Sequence, residues 1–290
     1  MLVSIGIPFY NARSTLTDAI RSVFAQTYEE WELLLLDDGS SDDSLRIARS
    51  VEDARVRVIS DGKNRGVSYR HNQMAALARG EYLAKLDDDD LMHPGRLRAQ
   101  CAYLAANNGT DLTGSAVYTI DLENNVTGLR RCTAAQVRPE VQVRQCSLYT
   151  STITGRVAWF RRYSYDERYR RSQDRDFFCR TFADASVHVD SMPLVFYREG
   201  RSRTAQKYKR NAYWDRRIFL QHGPKLLGWR QTVGLIANSF IKSNVYSLLW
   251  LAGLQEFSIR RGRVTVTAEE RARAAAILDS VRHARVPGLD

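Results

Sequence analysis

Three acidic clusters are the groups in this chain best suited to chemistry: Asp87-Asp88-Asp89-Asp90 after Leu86, Asp37-Asp38 in the run DDGSSDD, and Asp174 in SQDRDF. Four consecutive carboxylates repel one another when ionised and close. A divalent cation removes that conflict. Mg²⁺ or Mn²⁺ suits the site, because both prefer oxygen ligands and are held by one or two carboxylates together with substrate phosphates. In an extended segment Asp87 and Asp89 point to the same side, where both can face one metal-diphosphate unit. Asp37 and Asp38 can accept hydrogen bonds from a base or ribose, with Gly39 keeping the turn uncluttered. Asp174 can take a proton from a hydroxyl as a bond to phosphate breaks. Each cluster also has a purely structural reading as a helix cap: LDDDD before HPGRL, DDGSSDD before LRIAR, and SQDRDF at a helix start.

The elements around these clusters explain why they would converge. Val3, Ile5 and Ile7 form a short apolar strand ended by Pro8, and Leu16, Ala19, Ile20, Val23 and Phe24 follow at helical spacing. Trp31 to Leu36 is nearly continuous apolar sequence that stops at Asp37, the pattern of a strand covered on both faces. A helix over DDSLRIARS, a strand over Val56 to Ile59 ending before Asp61, and a helix from Ser68 through Ala78 come next. Tyr82 to Leu86 is a fourth strand running into the four aspartates. This alternation predicts an α/β fold with an open, mostly parallel sheet flanked by helices. Ligands bind beyond the carboxyl ends of such strands, where Asp37, Asp38, Asp61 and Asp87 to Asp90 all fall. Pro94 opens another helix carrying Leu97, Cys101 and Leu104, and residues 111–160 hold strand-like pieces, LTGSAVYTI, VTGLRRC and RVAWF.

Beyond about residue 200 the character changes. Arg198, Arg201, Arg203, Lys207, Lys209, Arg210, Arg216 and Arg217 crowd one stretch, then Leu226, Trp229, Phe240, Ile241, Leu248 and Trp250 belong to an apolar, aromatic series. Arg230 and Lys242 interrupt that series, which therefore lacks the ~18 apolar residues of a bilayer-spanning helix. Two readings stay open: paired helices packed on the domain, or a surface-lying membrane attachment. Thr267 with Glu270 forms a capping box before a terminal helix.

The chain has 290 residues, with 43 Lys and Arg against 33 Asp and Glu, so some surface attracts anions. No nucleic-acid reading module accompanies the charge, and nucleic acid is not an expected partner. Neither GxGxxG nor GxxxxGK[ST] occurs, which removes the best support for hydride transfer and for nucleoside-triphosphate hydrolysis. Cys101, Cys132, Cys146 and Cys179 are spaced too widely for a metal knuckle or a CxxC pair. MLVSIGIPFY enters a strand without the flank or cleavage site of a secretion signal, and a cytoplasmic setting is expected.

Taken together, VSIGIPFYNARSTLTDAIRSVFAQTYEEWELLLLDDGSSDDS, NRGVSYRHNQMAALARGEYLAKLDDDDLMHPGRL, SQDRDF and PLVFYR resemble, in that order, the family 2 glycosyltransferases of GT-A fold. The resemblance covers roughly residues 2–200. It implies a nucleotide-sugar-dependent domain over 1–200, with a donor half near 1–100 and an acceptor half near 101–200, followed by a largely helical C-terminal extension over 201–290. It further implies inverting transfer of a hexose or related sugar, a UDP-sugar being the first expectation, to a glycan or lipid-linked acceptor in surface-polysaccharide assembly. On this resemblance Asp38 contacts the nucleoside with Asp37 beside it, Pro8 and Tyr10 shape the donor pocket, and Asp61, Arg70, Asp87 and Asp88 join the donor site. Asp87 and Asp89 hold the metal, and Asp174 is the base. Gln173 replaces the glutamate of the family's usual Glu-Asp pair, and His71 stands where many relatives carry arginine. The alternatives are a nucleotidyltransferase on a related fold and a catalytically silent glycan-binding protein.

Overall fold

The computed structural model describes residues 1–133, 136–146, 148–199, 205–251 and 264–289. Strands β1 (Val3–Phe9), β2 (Trp31–Asp37), β3 (Val56–Ser60) and β4 (Tyr82–Lys85) lie in the order β3-β2-β1-β4, all parallel. Helices α1 (Leu16–Phe24), α2 (Ser44–Arg49) and α3 (Val67–Leu77) make the crossovers, and α4 (Arg96–Ala106) follows. Side chains alternate across a sheet, and β2 shows why its sequence is apolar without interruption. Leu33 and Leu35 pack with Leu16, Ile20 and Leu97 on one face, while Leu34 and Leu36 pack with Met74 and Ala78 on the other.

Pro8 does not end β1, which continues to Phe9. The Leu86 amide donates to the Gly6 carbonyl and the Asp38 amide to that of Phe9, so alternate residues of β1 turn their polar groups to opposite neighbours. Pro8 faces the β4 side, and the β4 pairing has already run out at Gly6 opposite Lys85. No ladder bond is lost.

Beyond β4 the sheet becomes mixed. It continues β8 (Thr154–Arg156), β6 (Leu112–Ile120), β9 (Val187–Arg198) and β5 (Leu91–Met92), with β7 (Val126–Arg130) also on β6. β8 is antiparallel to both neighbours, whereas β6 and β9 form a long parallel pair. The strand expected at RVAWF is a correction: Arg156 closes β8, and Val157–Arg162 is helix α6. Val157 and Phe160 lie one helical turn apart and bury with Trp159 against Phe177, so tertiary packing overrides the β preference of these side chains.

Helices α5 (Pro139–Arg144) and α7 (Gln173–Thr181) support a hairpin of α8 (Ala205–Leu227) and α9 (Trp229–Leu251). Gly228, at φ +81°, makes the turn between them in a conformation that costs other residues strain. Ile218 and Phe219 of α8 bury against Val143 and Cys179. Polar contacts add to that packing: Ser172 Oγ donates to Asp215 Oδ1 at 2.8 Å, and Arg175 lies 3.0 Å from the same oxygen. α10 (Ala268–Arg282) starts at the expected capping box, with the Glu270 amide donating to Thr267 Oγ1. It packs Leu278 and Val281 against Leu91 and Phe196, and Arg282 pairs with Asp18 of α1 at 3.1 Å. Among the described residues no helix is long and apolar enough to cross a membrane. Arg201 and Arg203 of the basic stretch lie outside the described residues.

Candidate active site at the carboxyl edge of the sheet

Parallel pairing of β1 to β4 brings their carboxyl ends to one edge, and the acidic residues expected there divide into braces and outward-facing groups. Asp37, the last residue of β2, is buried; it accepts hydrogen bonds from the Ser40 amide (2.9 Å) and from Ser60 Oγ (2.7 Å). Asp38 accepts from the amides of Arg65 (2.9 Å) and Gly66 (3.0 Å) and from Arg70 Nε (3.0 Å). Gly39 between these loops has φ +75°, and a Cβ there would sit 2.8 Å from the Asn64 amide nitrogen.

Arg70 is the hub of this network. It was expected at the donor phosphates, yet its side chain is wholly buried, donating to Asp38, to Asp61 Oδ1 (2.7 Å), to the Lys63 carbonyl (2.7 Å) and to Gln73. The structure therefore gives it the work of tying the ends of β2 and β3 to α3 rather than an open face for a ligand. Arg70 and Arg65 hold the Asp61 carboxyl well below its usual range. Breaking a buried ion pair leaves a charge without its partner, so Arg70→Met is expected to cost about 3 kcal/mol of folding stability. Urea denaturation measures this, and an unchanged midpoint would remove Arg70 from that role.

The loop after β1 is stitched to the loop after β2. Asn11, at φ +50°, accepts from the Ser41 amide at 2.8 Å, and the Ala12 amide donates to Ser44 Oγ at 2.7 Å. Pro8 is buried, Tyr10 is exposed, and the Tyr10 amide donates to Asp88 Oδ2 at 3.2 Å. The expected donor residues Pro8, Tyr10, Asp37, Asp38, Asp61, Asp87 and Asp88 thus belong to neighbouring strand ends.

The four aspartates do not continue β4 in extended form. The Asp90 amide donates to the Asp87 carbonyl, closing a turn over Asp88 and Asp89. Arg198 of β9 pins that turn: its Nε donates to the Asp89 carbonyl and its amide to Asp90 Oδ1, each at 2.9 Å. Asp90 is fully buried, and burial with Asp89 and Asp87 nearby pushes its carboxyl well up. Asp87, Asp88 and Asp89 are partly exposed. Burial, reinforced by the charges of Asp89 and Asp174, raises the Asp87 carboxyl to about 7.

That last influence brings the third cluster to the second. Asp174 lies in the first turn of α7, with Oδ1 accepting from Tyr165 Oη at 3.0 Å and Oδ2 from Gln173 Nε2 at 2.9 Å. Lys85, at the end of β4, is buried with Nζ 3.9 Å from Asp174 Oδ1 and hydrogen-bonded to Tyr165 Oη. Burial lowers Lys85 to about 8, opposed by Asp174 and Asp87. Burial also holds the Tyr165 hydroxyl well above its usual range, keeping it a donor. Sequence reasoning passed over Lys85 and Tyr165. A lone lysine inside the apolar strand YLAKL is the signal that marks the first; nothing local marks the second.

Among the described residues no group of three or more His, Cys, Asp or Glu is arranged to hold a metal ion. Asp87 and Asp89 are partly exposed carboxylates of the same turn, and Mg²⁺ and Mn²⁺ sites commonly take only one or two carboxylates and complete the shell with phosphates and water.

A sequence model described as Glycosyl transferase family 2 matches residues 4–169. EpsE of Bacillus subtilis (strain 168) is 31% identical over 188 residues, covering 63% of this chain and 67% of EpsE. The Escherichia coli UDP-Glc:alpha-D-GlcNAc-diphosphoundecaprenol beta-1,3-glucosyltransferase WfgD is 35% identical over 127 residues, which span 44% of this chain and 49% of WfgD. The chain thus spans only about half the length of that relative. The crystal structure of S. aureus TarS 1-349 in complex with UDP-GlcNAc superposes with a TM-score of 0.60 at 16% identity, covering 97% of this chain and 80% of TarS 1-349, a likeness of fold.

Proposed function

Because the chain belongs to glycosyl transferase family 2 and has its GT-A-like fold, we propose that it is an inverting glycosyltransferase that moves a hexose or related sugar from a nucleotide sugar to a glycan or lipid-linked hydroxyl. The observation that carries this reading is the meeting of two kinds of carboxylate at one sheet edge. Asp87 and Asp89 sit in an acidic turn that begins two residues after Lys85, and Asp174, oriented by two hydrogen bonds, has its Oδ1 3.9 Å from Lys85 Nζ. We assign the nucleotide to the loops holding Pro8, Tyr10, Asp37, Asp38 and Asp61, within a donor half near residues 1–100 of a catalytic domain over 1–200.

In the proposed reaction Asp174 takes the proton of the acceptor hydroxyl. The oxygen attacks the anomeric carbon, and the bond to the leaving phosphate oxygen breaks with its electron pair staying on the nucleoside diphosphate. Asp87 and Asp89 would hold Mg²⁺ or Mn²⁺, which supplies charge stabilisation to the diphosphate when bound. Much of the rate effect comes from orientation and fixed charge rather than from covalent catalysis.

The name of WfgD describes an acceptor on diphosphoundecaprenol, and this supports a lipid-linked acceptor in cell-surface polysaccharide synthesis here. So does the outer face of α9. Trp229, Phe240, Ile241 and Leu248 are each more than half exposed, Arg230 and Lys242 lie among them, and α9 contains no acidic residue. We assign this face to peripheral contact with an anionic bilayer. No disulfide joins the described cysteines, which agrees with a reducing, cytoplasmic side. Flotation with vesicles containing phosphatidylglycerol should recover the protein at low salt and lose it at high salt, and Phe240→Glu with Ile241→Glu should abolish recovery. Equal recovery of that double variant removes α9 from membrane contact.

The test of the whole reading is turnover across a panel of UDP-, GDP- and dTDP-sugars with and without Mn²⁺. Release of nucleoside diphosphate from one of them is expected. Pyrophosphate release from a nucleoside triphosphate would turn the assignment to nucleotidyl transfer, and glycan binding without any turnover would leave a silent binding protein.

A further inference from the structure

Lys85 is a buried ammonium placed where no packing requirement calls for one. It is 2% exposed, its strand neighbours Leu83, Ala84 and Leu86 are apolar and buried, and it ends the strand that leads into the acidic turn. It does not reach solvent, so a direct contact with donor phosphate does not account for it. Its polar neighbours are Tyr165, Asp174 and Asp87, with His71 close by. Burial and the Lys85 charge keep the His71 imidazole well below its usual range and therefore neutral.

Tyr165 is fixed from every direction. Its amide donates to Asn72 Oδ1 at 2.7 Å, and Asn72 Nδ2 donates back to its carbonyl at 3.0 Å. Its ring stacks on Phe177 at 4.1 Å with 1° between the planes, and also meets His71 at 4.8 Å. What remains free in such a residue is rotation of the hydroxyl hydrogen. An ammonium has three donors and no acceptor. When Lys85 Nζ donates to Tyr165 Oη, the phenolic hydrogen is turned away from Lys85 and toward Asp174 Oδ1, 3.0 Å off.

From this arrangement, and resting on the reading of Asp174 as the base, we infer that Lys85 and Tyr165 form a two-residue positioning relay that sets the orientation of the Asp174 carboxylate. Lys85 orients the Tyr165 hydroxyl, and the hydroxyl occupies Oδ1. Gln173 Nε2 holds Oδ2 from the adjacent position, so the plane of the carboxylate is set from both sides before the acceptor arrives. Neither Lys85 nor Tyr165 touches the acceptor, and neither exchanges a proton in the reaction.

A relay in series makes a specific demand. Lys85→Met and Tyr165→Phe should each lower kcat about ten- to a hundredfold, the usual effect of removing a group that orients a reacting one. For Tyr165→Phe, donor Kd and donor KM should stay within about twofold of wild type, because the donor loops keep their own network; Lys85→Met also removes a charge that faces Asp87, so its kcat is read at saturating donor and Mn²⁺. The double variant should lose no more than the worse single, since either change alone already frees Asp174. Thermal melting of each variant accompanies the kinetics; Tyr165→Phe keeps the stacked ring and so tests the hydroxyl apart from folding. Multiplied losses in the double variant, wild-type kcat in either single, or a loss confined to donor affinity would each overturn the relay. Asp174→Asn in the same assay separates the two levels: if it retains turnover the base assignment itself fails, and if it is inactive while both singles run at wild-type rate only the relay fails.

Discussion

Asp174→Asn is expected to lower kcat by about 10²- to 10⁴-fold, the usual contribution of a positioned general base, while donor binding changes little. The amide keeps the size of the carboxylate and still offers one oxygen to the Tyr165 hydroxyl, so α7 and the contacts of its first turns to Asp215 and His222 have no reason to move. What it loses is the ability to take up a proton. A single-turnover assay with bound donor reads the chemical step directly, and isothermal titration with the nucleotide sugar reads binding. Full turnover with a matched donor would sink the assignment. Because the loops that bind donor in this reading are held through Asp37 and Asp38 after β2 and Arg70 of α3, a loss of donor affinity of the same size would mean instead that Asp174 belongs to the donor pocket.

Asp89→Ala is expected to have a comparable effect on kcat/KM, of about 10²-fold or more, but through donor binding, with most of the Mn²⁺ dependence lost. The physical reason lies in Asp87. Burial first, then Asp89 and Asp174, raise its carboxyl to about 7. A proton and a divalent cation compete for that carboxylate, so for the wild-type protein metal-dependent donor affinity should be greatest well above pH 7 and fall as pH drops through and below it. The direction follows from the sign: an acid whose value is raised is protonated over a wider acidic range. Removing Asp89 takes away one of the charges that raise Asp87, so the pH at which the remaining metal response falls off should move downward. Donor titrations at several pH values with and without Mn²⁺ give both results. A wild-type metal response in Asp89→Ala, or a response independent of pH between 5.5 and 8.5, contradicts the assigned role.

The element pattern of the first half was legible in the residues themselves. An apolar strand such as WELLLL cannot be solvated on either face, and its abrupt end at two aspartates places those groups at a sheet edge whatever the rest of the chain does. Local spacing was a poor guide wherever a neighbour supplied the deciding contact. RVAWF has β-forming residues, yet burial against Phe177 makes most of it helix. Pro8 would stop a strand paired on both sides, and here its unpaired side meets no partner. The aspartate run was expected to be extended, with Asp87 and Asp89 aligned; Arg198, 108 residues further on from Asp90, pulls it into a turn and takes Asp90 into the interior.

The sequence by itself determined which groups could act: carboxylates after apolar strands, in an order that resembles one enzyme family, with too few flanking glycines for a dinucleotide or phosphate loop. That much follows from residue type and period, which are local properties. Only the tertiary structure decided what each group does with its neighbours. It buried Arg70 as a brace, separated Asp90 from the three aspartates beside it, and set Lys85 and Tyr165, 80 residues apart, on one carboxylate. Burial and long-range contact fix those outcomes, because a charge is assigned its work by the partners it meets once water is excluded.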